Sequence, residues 1–452
     1  MIGGAVGAVL LGTFSVALSR TADRVVPLAS RSAVDKVGTV VLSARRTPTT
    51  LSDSTRIGAL ERALASFGSM VPDGGCLRVD WAGRTVTSVR SDRALVPASA
   101  AKVVTAVAAV DVLGADHTFE TAVWSTGTMQ NGTIGDLYLV GGGDPVLVHN
   151  GYVATEKYQT FNGTQLEKFA DSIVSTGLRL VTGSIVAIDS RYDQVRFVDA
   201  WPSEFHVTEA GPLGALLFND GAVTGQTVKP DDPAVAAATE LRQMLTARGV
   251  TFTGGIRHDA ALPAEATKIA SITSAPLTAI IREMLVNSDN NTAEMLLKEI
   301  GWESSEQGST ASGLATLAKA AAAWKVTAPV MLDGSGLSRA DSVSCDTFVS
   351  ILDARSDLLT GSMAVAGVSG TLRDVFTDSP MKDRLVGKTG TLSGVKSLVG
   401  YLPLEGAQPI VFALLMNRDG IDNQGEYRPI WNALGEALNR AKAHPTRDEL
   451  AP

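Results

Sequence analysis

The pattern of apolar residues changes twice along the chain, and these changes limit the possible fold more than any other feature. From about Phe119 to Ile256 the chain consists of short β-like runs separated by glycine turns. Before and after this stretch the apolar residues recur at helical spacing. We therefore predict an α+β fold in which one helix-and-sheet domain is split by a large β-rich insert. The predicted segments are a split domain at 56–118 and 263–443, an insert at 119–262 that contains one helix at 233–248, a tether at 21–55 and a tail at 444–452.

Turn residues and spacing predict most elements of the split domain. Cys76 to Trp81 and Arg84 to Val89 alternate around Ala82-Gly83, which predicts a β-hairpin. Asp53-Ser54-Thr55 is typical of an N-cap before the first helix. The other predicted elements are a helix opened by Pro97-Ala98-Ser99, helices at 277–286, 292–300, 311–324 and about 427–441, and strands at 397–402 and 410–416.

The N-terminus has the features of an export segment. Ile2 to Leu18 is a run of 17 residues without a charge, followed by Arg20 and Arg24. No Lys or Arg precedes the run, which indicates that the start lies upstream or that the segment is cleaved. We expect residues 1–20 to be an export signal or a membrane anchor. The protein would then lie in the periplasm or on the cell-wall side of the cytoplasmic membrane, secreted or anchored.

Charge and composition narrow the possible partners. The net charge of −8 argues against nucleic acid as a partner. Cys76 and Cys345 are too few for a disulfide scaffold or a four-cysteine metal site, and they could form one bridge or remain two buried thiols. The five histidines are far apart and form no H-E-x-x-H pattern, so we expect no metal and no cofactor.

Ser99-Ala100-Ala101-Lys102 is the first candidate site. On a helix, positions i and i+3 share a face, so the Lys102 amine can reach the Ser99 hydroxyl and activate it as a nucleophile. Roughly one or two S-x-x-K matches are expected by chance in such a chain, and the other two matches begin at Ser379 and Ser393. Only Ser99 opens an apolar helix, although an ordinary helix N-cap is an equally good interpretation of this motif alone.

Two further polar motifs follow. Ser288-Asp289-Asn290 suits a helix cap when taken alone, but Ser288 could relay a proton and Asn290 could bind a substrate amide. Lys388-Thr389-Gly390-Thr391 offers a cation and hydroxyl donors suited to a carboxylate, with a glycine that lets a ligand backbone approach. A phosphate loop is excluded because Lys382 stands where that motif needs glycine.

The three motifs in this order are the set found in penicillin-binding proteins and class A β-lactamases. The chain resembles the class C, low-molecular-mass penicillin-binding proteins of type 4, which are D-Ala-D-Ala carboxypeptidases and endopeptidases. Similar segments are the glycine run before Asp144-Pro145, the stretch 218–221, Asp333-Gly334-Ser335-Gly336-Leu337-Ser338 and 370–373. The 189 positions between Ser99 and Ser288 match the large insert of that family. The resemblance implies a penicillin-binding, β-lactamase-like domain with an antiparallel sheet flanked by helices, and it favours a bridge between the two cysteines.

The resemblance also implies a mechanism on peptidoglycan stem peptides, with β-lactams as acylating inhibitors. Ser99 would attack the carbonyl of the penultimate D-Ala while Lys102 takes its proton, and water would then release the acyl group. The backbone N–H groups of Ser99 and Thr391 would hold the oxyanion. Lys388, Thr389 and Thr391 would bind the terminal carboxylate. The implied catalytic residues are Ser99, Lys102, Ser288 and Asn290, and the implied substrate-binding residues are Lys388, Thr389, Gly390 and Thr391.

Two other functions remain open at this stage. A β-lactamase or esterase on the same scaffold would turn over its acyl-enzyme quickly, but no clear E-x-x-L-N motif is present. A non-catalytic scaffold protein that binds the cell wall would be expected to carry a damaged motif, and all three are intact. The sequence does not give the oligomeric state.

Overall fold

The computed structural model describes residues 49–441, with side chains from residue 56 onward. The predicted export segment and tail, and the tether up to residue 48, lie outside these residues. The first part of the split domain contains two α-helices, three strands and one short 3-10 helix. They are α1 (Thr49–Gly68), β1 (Gly75–Trp81), β2 (Arg84–Val89), β3 (Ala94–Leu95), a 3-10 helix (Ala98–Ala101) and α2 (Lys102–Leu113).

The predicted hairpin is present, whereas the predicted start of the first helix is wrong. Trp81 pairs with Arg84 across Ala82 and Gly83, which both have positive φ angles as a tight hairpin turn requires. Helix α1 begins at Thr49 and continues through the predicted cap at Asp53-Ser54-Thr55, inside the predicted tether. No Gly or Pro lies between residues 49 and 55 to stop a helix there.

The next stretch mixes strands with three helices. The elements are β4 (Glu120–Thr126), β5 (Thr133–Ile134), β6 (Leu137–Val140), β7 (Leu147–Val148), α3 (Asn150–Val153), β8 (Thr164–Gln165), α4 (Leu166–Ser175), β9 (Leu180–Val181), β10 (Ile185–Ile188), 3-10 turns at Ser203–Phe205 and Asn219–Gly221, α5 (Pro233–Thr246), β11 (Thr251–Phe252), β12 (Ile256–His258) and β13 (Ala266–Thr273). The sequence predicted α5 but missed α4, whose buried face is Leu166, Phe169, Ala170 and Ile173.

The last part returns to helices and long strands. The elements are α6 (Leu277–Asn287), α7 (Asn290–Ser305), α8 (Thr310–Ala323), β14 (Val343–Ser344), α9 (Cys345–Ala354), α10 (Ser356–Leu359), β15 (Ala364–Val365), a 3-10 turn at Gly370–Leu372, β16 (Val386–Leu392), β17 (Val395–Leu404), β18 (Ala407–Asn417) and α11 (Gln424–Leu438). None of the helices within residues 49–441 is both long enough and apolar enough to cross a membrane.

Six antiparallel strands form the main sheet, in the order β15-β16-β17-β18-β1-β2. One face packs against α2 and α9, with α6, α7 and α8 beyond, and the other face packs against α1 and α11. Both faces of the central strands are therefore buried, and β17 and β18 are almost continuously apolar for that reason. The predicted antiparallel sheet flanked by helices is confirmed.

A separate five-stranded sheet, in the order β12-β10-β6-β4-β13, forms the centre of the insert. It mixes parallel and antiparallel pairs, and helices α4 and α5 contribute to its core. Strand β13 pairs with β4 along its whole length, so the insert extends past the predicted limit at residue 262 to about residue 274. The described residues of the insert and of the split domain belong to one compact unit.

Cys76 and Cys345 form a disulfide bond. The bond joins strand β1 to the first residue of α9, and both cysteines are fully buried. The pairing favoured by the family resemblance is therefore present, and the alternative of two free buried thiols is wrong.

Candidate active site

Ser99 lies in the short 3-10 helix that precedes α2. Ala98 just before it has a φ of 48°, an unfavourable value for a residue other than glycine. The N–H of Ser99 is near the start of the helix and has no intrahelical acceptor. Ser99 lines a cavity of about 650 Å³ together with Ser288, Asn290, Thr389 and Thr391. The hydroxyl is thus presented to this cavity beside an unpaired backbone donor.

Lys102 is the first residue of α2 and is fully buried. Its Nζ lies 2.9 Å from Ser99 Oγ, 2.6 Å from Asn290 Oδ1 and 2.7 Å from the carbonyl oxygen of Ser335. Burial lowers the pKa of Lys102 to about 8, although the charges of Asp333 and Glu294 act to raise it. A neutral amine has two N–H donors and one lone pair. The two oxygens of Asn290 and Ser335 can accept those donors, which leaves the lone pair for the proton of Ser99.

The S-D-N motif joins α6 to α7. Ser288 ends α6 with a left-handed conformation, φ 65°, and Asp289 caps α7 by accepting from the N–H of Thr292 at 3.0 Å. The capping interpretation is therefore correct for Asp289. The same turn orients Ser288 and Asn290 toward the cavity, and Asn290 Nδ2 donates to the carbonyl of Glu209 from the insert.

The K-T-G-T motif lies on β16. Lys388 is fully buried, and its Nζ donates to Ser288 Oγ and to the carbonyl of Thr389, both at 2.8 Å. Burial lowers the pKa of Lys388 well below its usual value, and the charges of Lys102 and Lys396 lower it further. Thr389 Oγ1 donates to Thr371 Oγ1 at 2.8 Å. The structure therefore brings all three motifs to one cavity, with Lys388 beneath its surface.

The structure gives Gly390 a reason to be glycine beyond the ligand approach that the sequence suggested. A Cβ at Gly390 would lie 2.4 Å from the carbonyl oxygen of Pro97, so the close approach is to the protein's own backbone and not only to a ligand. A Cβ at Gly336 would likewise lie 2.1 Å from the carbonyl oxygen of Ala98. The two glycines hold the 3-10 helix of Ser99 between strand β16 and the 333–338 loop.

Several side chains at the site were not predicted as site residues. Glu294, fully buried, accepts from the N–H groups of Gly334 and Ser335 at 2.9 and 2.7 Å and so fixes the loop whose carbonyl binds Lys102. Burial raises the pKa of Glu294 to about 8. Lys396 donates to Thr391 Oγ1 at 2.8 Å. The segments 333–338 and 370–373, noted as similar to the family, were the signal for Ser335 and Thr371.

The insert also contributes to the cavity wall. Lys157, Tyr158, Phe205 and Glu209 line the same cavity as Ser99. Among residues 49–441, no group of three or more His, Cys, Asp or Glu side chains is placed to hold a metal ion. A buried amine beside a serine hydroxyl, with hydroxyl and amide donors around it, is an arrangement suited to nucleophilic acyl transfer.

Comparison with known proteins agrees with this geometry. The sequence profile of the D-Ala-D-Ala carboxypeptidase 3 (S13) family matches residues 81–231 and 219–434. The D-alanyl-D-alanine carboxypeptidase of Actinomadura sp. (strain R39) is 31% identical over 419 residues, covering 73% of this chain and 75% of that protein. The crystal structure of penicillin binding protein 4 from Haemophilus influenzae has a TM-score of 0.70 at 19% identity, covering 83% of this chain and 99% of that one. A predatory endopeptidase from Bdellovibrio bacteriovorus has a TM-score of 0.57 at 18% identity, over 82% and 94% of the two chains.

The chain belongs to the D-Ala-D-Ala carboxypeptidase 3 (S13) family and is a serine-type carboxypeptidase of the class C penicillin-binding group. The predicted family, enzyme class and α+β penicillin-binding fold are confirmed.

Proposed function

We propose that the protein hydrolyses the D-Ala-D-Ala bond of peptidoglycan stem peptides through an acyl-enzyme on Ser99. One observation carries this proposal: Lys102 Nζ lies between Ser99 Oγ and two fixed oxygens, those of Asn290 and Ser335. The two oxygens accept the two N–H donors of the neutral amine, so its lone pair is directed to the Ser99 hydroxyl. A general base within hydrogen-bond reach is what a serine hydroxyl needs to become a nucleophile.

The roles of the other site residues follow from their positions. Ser288 accepts from Lys388, so its own proton is free to move toward a leaving amine. Asn290 accepts a hydrogen bond from Lys102 and lines the cavity, and we assign it to the substrate amide. The N–H groups of Ser99 and Thr391 are assigned to the oxyanion, and the hydroxyls of Thr389 and Thr391 to the terminal carboxylate. Lys388 contributes its charge from beneath the cavity.

The same site accounts for acylation by β-lactams. A β-lactam carries an acyl carbon and a carboxylate, the two groups that Ser99 and Thr391 are assigned to receive. The enzyme class also agrees with action outside the cytoplasm, because the substrate is part of the cell wall. We therefore retain residues 1–20 as an export signal or anchor, residues 21 to about 48 as a tether, and the insert as a separate element that shapes one wall of the cavity.

Defined muropeptides test this proposal. We expect the pure protein to release D-Ala from pentapeptide stems, to cleave D-Ala-linked dimers, or both, as measured by chromatography and mass spectrometry. The Ser99→Ala variant should be inactive while keeping its thermal unfolding midpoint. Rapid turnover of nitrocefin without any cleavage of stem peptides would instead indicate a β-lactamase. Absence of both activities and of any covalent penicillin adduct would indicate a non-catalytic scaffold.

A further inference from the structure

Lys396 is a second lysine beside the K-T-G-T segment. It lies on β17 directly across from Thr391, and its Nζ donates to Thr391 Oγ1 at 2.8 Å. The same Nζ lies 4.0 Å from the centroid of the Tyr427 ring and 5.1 Å from that of Trp431. The residue is only 7% exposed.

Lys396 and Lys388 differ in access to the cavity. Lys388 is fully buried and uses its ammonium on Ser288 and on the carbonyl of Thr389. Lys396 lines the cavity that contains Ser99, together with Thr391. Of these two lysines, Lys396 is therefore the one that a bound molecule can meet directly.

The Lys396 ammonium has no carboxylate partner among the described residues. No Asp or Glu oxygen of these residues lies within ion-pair distance of Nζ, and Thr391 Oγ1 is the one hydrogen-bond acceptor they provide for it. Burial lowers the pKa of Lys396 to about 8, against the charge of Asp422, which raises it. The ring faces of Tyr427 and Trp431 replace only part of the stabilisation that water would give the ammonium. A buried ammonium in such a place gains most from an incoming carboxylate.

The hydrogen bond to Thr391 has a consequence for the direction of that hydroxyl. Because Thr391 Oγ1 accepts from Lys396, its own proton points away from the lysine, and Thr391 is exposed to the cavity. Lys396 thus makes Thr391 a donor of fixed direction and adds a positive charge behind it.

We propose that Lys396 determines the specificity for a leaving group that carries a free carboxylate, both through Thr391 and by its own charge. This inference rests on the proposed function, in which Thr391 faces the terminal carboxylate of the substrate. It assigns to Lys396 the direct charge contact that the sequence alone assigned to Lys388.

Two thioester substrates with one acyl part and different leaving groups test the proposal. One leaving group is mercaptoacetate, with a carboxylate, and the other is mercaptoacetamide, its neutral counterpart of nearly equal size. In both, Ser99 Oγ bonds to the acyl carbon and the thiolate leaves. We expect Lys396→Met to lower kcat/KM about 10- to 100-fold for the carboxylate substrate, mainly through KM, and less than about threefold for the amide.

The ratio of the two kcat/KM values is insensitive to any inactive fraction of the protein, so partial misfolding does not affect the result. Lys396→Arg should restore much of the preference for the carboxylate because it keeps the charge. The matched control is Lys268→Met, which removes a lysine that lies 5.3 Å from the ring of Trp124 in the insert. This control should keep the wild-type ratio.

Equal losses on both substrates, or no loss on either, would overturn the assignment of Lys396 while leaving the proposed function intact. A wild-type protein that forms no acyl-enzyme with either thioester or with penicillin would overturn the proposed function, and the inference with it.

Discussion

Lys388 Nζ donates to Ser288 Oγ at 2.8 Å, although the two residues are 100 positions apart in the chain. This bond joins the second and third motifs on one side of the cavity, while Lys102 joins the first and second through Asn290. The site is therefore a connected network of two buried lysines and the oxygens between them. The protonation of each lysine should therefore depend on the charge of the other.

The pH dependence of acylation should report the repulsion between the charges of Lys102 and Lys388. The base must be neutral, so the rate of penicillin acylation should rise with pH through the Lys102 pKa of about 8. Lys388→Ala removes a like charge, which raises the pKa of Lys102 and moves this acid limb upward by about one pH unit. The measurement is the second-order acylation rate between pH 6 and 10. Lys382→Ala, at an exposed lysine, is the control. If the acid limb of the pH profile does not move in Lys388→Ala, the charge of Lys388 does not influence the pKa of Lys102.

Asn290→Asp should also raise the pKa of Lys102, in this case by adding a negative charge beside it. The Asn290 oxygen lies 2.6 Å from Lys102 Nζ, so a carboxylate there would stabilise the ammonium and raise the pKa of Lys102. We expect acylation at pH 7 to fall at least about tenfold, with partial recovery at pH 9 to 10. Asn432→Asp, at an exposed position on α11, should keep the wild-type profile. Full activity of Asn290→Asp at pH 7 would show that this contact does not control the base.

Gly390→Ala tests the close approach of β16 to the helix of Ser99. The new Cβ would lie 2.4 Å from the carbonyl oxygen of Pro97, so the strand or the helix must move. Because acyl transfer depends on sub-ångström placement, we expect acylation to fall about 100-fold, together with a loss of about 1–3 kcal/mol in the free energy of unfolding. Gly361→Ala, where a Cβ meets no atom within 4 Å, is the control. Wild-type acylation by Gly390→Ala would contradict the described packing.

The disulfide should contribute substantially to stability. It joins residues separated by 269 positions and connects β1 with α9. Replacing both cysteines by alanine should lower the free energy of unfolding by about 2–5 kcal/mol, measured as a shift of the urea midpoint. Reductant should lower the midpoint of the wild-type protein and leave that of the double variant unchanged. Equal midpoints for oxidised wild type and double variant would exclude a stabilising role.

Local patterns in the sequence predicted the parts of the fold that depend on neighbours along the chain. The turn at Ala82-Gly83 and the apolar runs of β17 and β18 have clear local signals. Helix α4 was missed because it lies among short strands and turn residues. The limit of the insert was placed too early because β13 is recognisable mainly by its pairing with β4, about 140 positions earlier.

In the candidate site, too, some features are visible in the sequence and others depend on the fold. The three motifs were visible as residues, but only the fold shows that Ser335 contributes a carbonyl to Lys102. Lys396 ends the third S-x-x-K match, which was set aside as a chance occurrence. Its importance depends on the register that places it across from Thr391, and register is not apparent from one strand alone.

The account as a whole depends on Ser99 as the residue that becomes acylated. The most direct measurement is mass spectrometry of the intact protein after incubation with benzylpenicillin, followed by peptide mapping. We predict a mass increase of one penicillin molecule per chain, located on the peptide that contains Ser99 and absent from Ser99→Ala. An adduct that persists in Ser99→Ala, or that maps to Ser288, Ser379 or Ser393, would contradict the account.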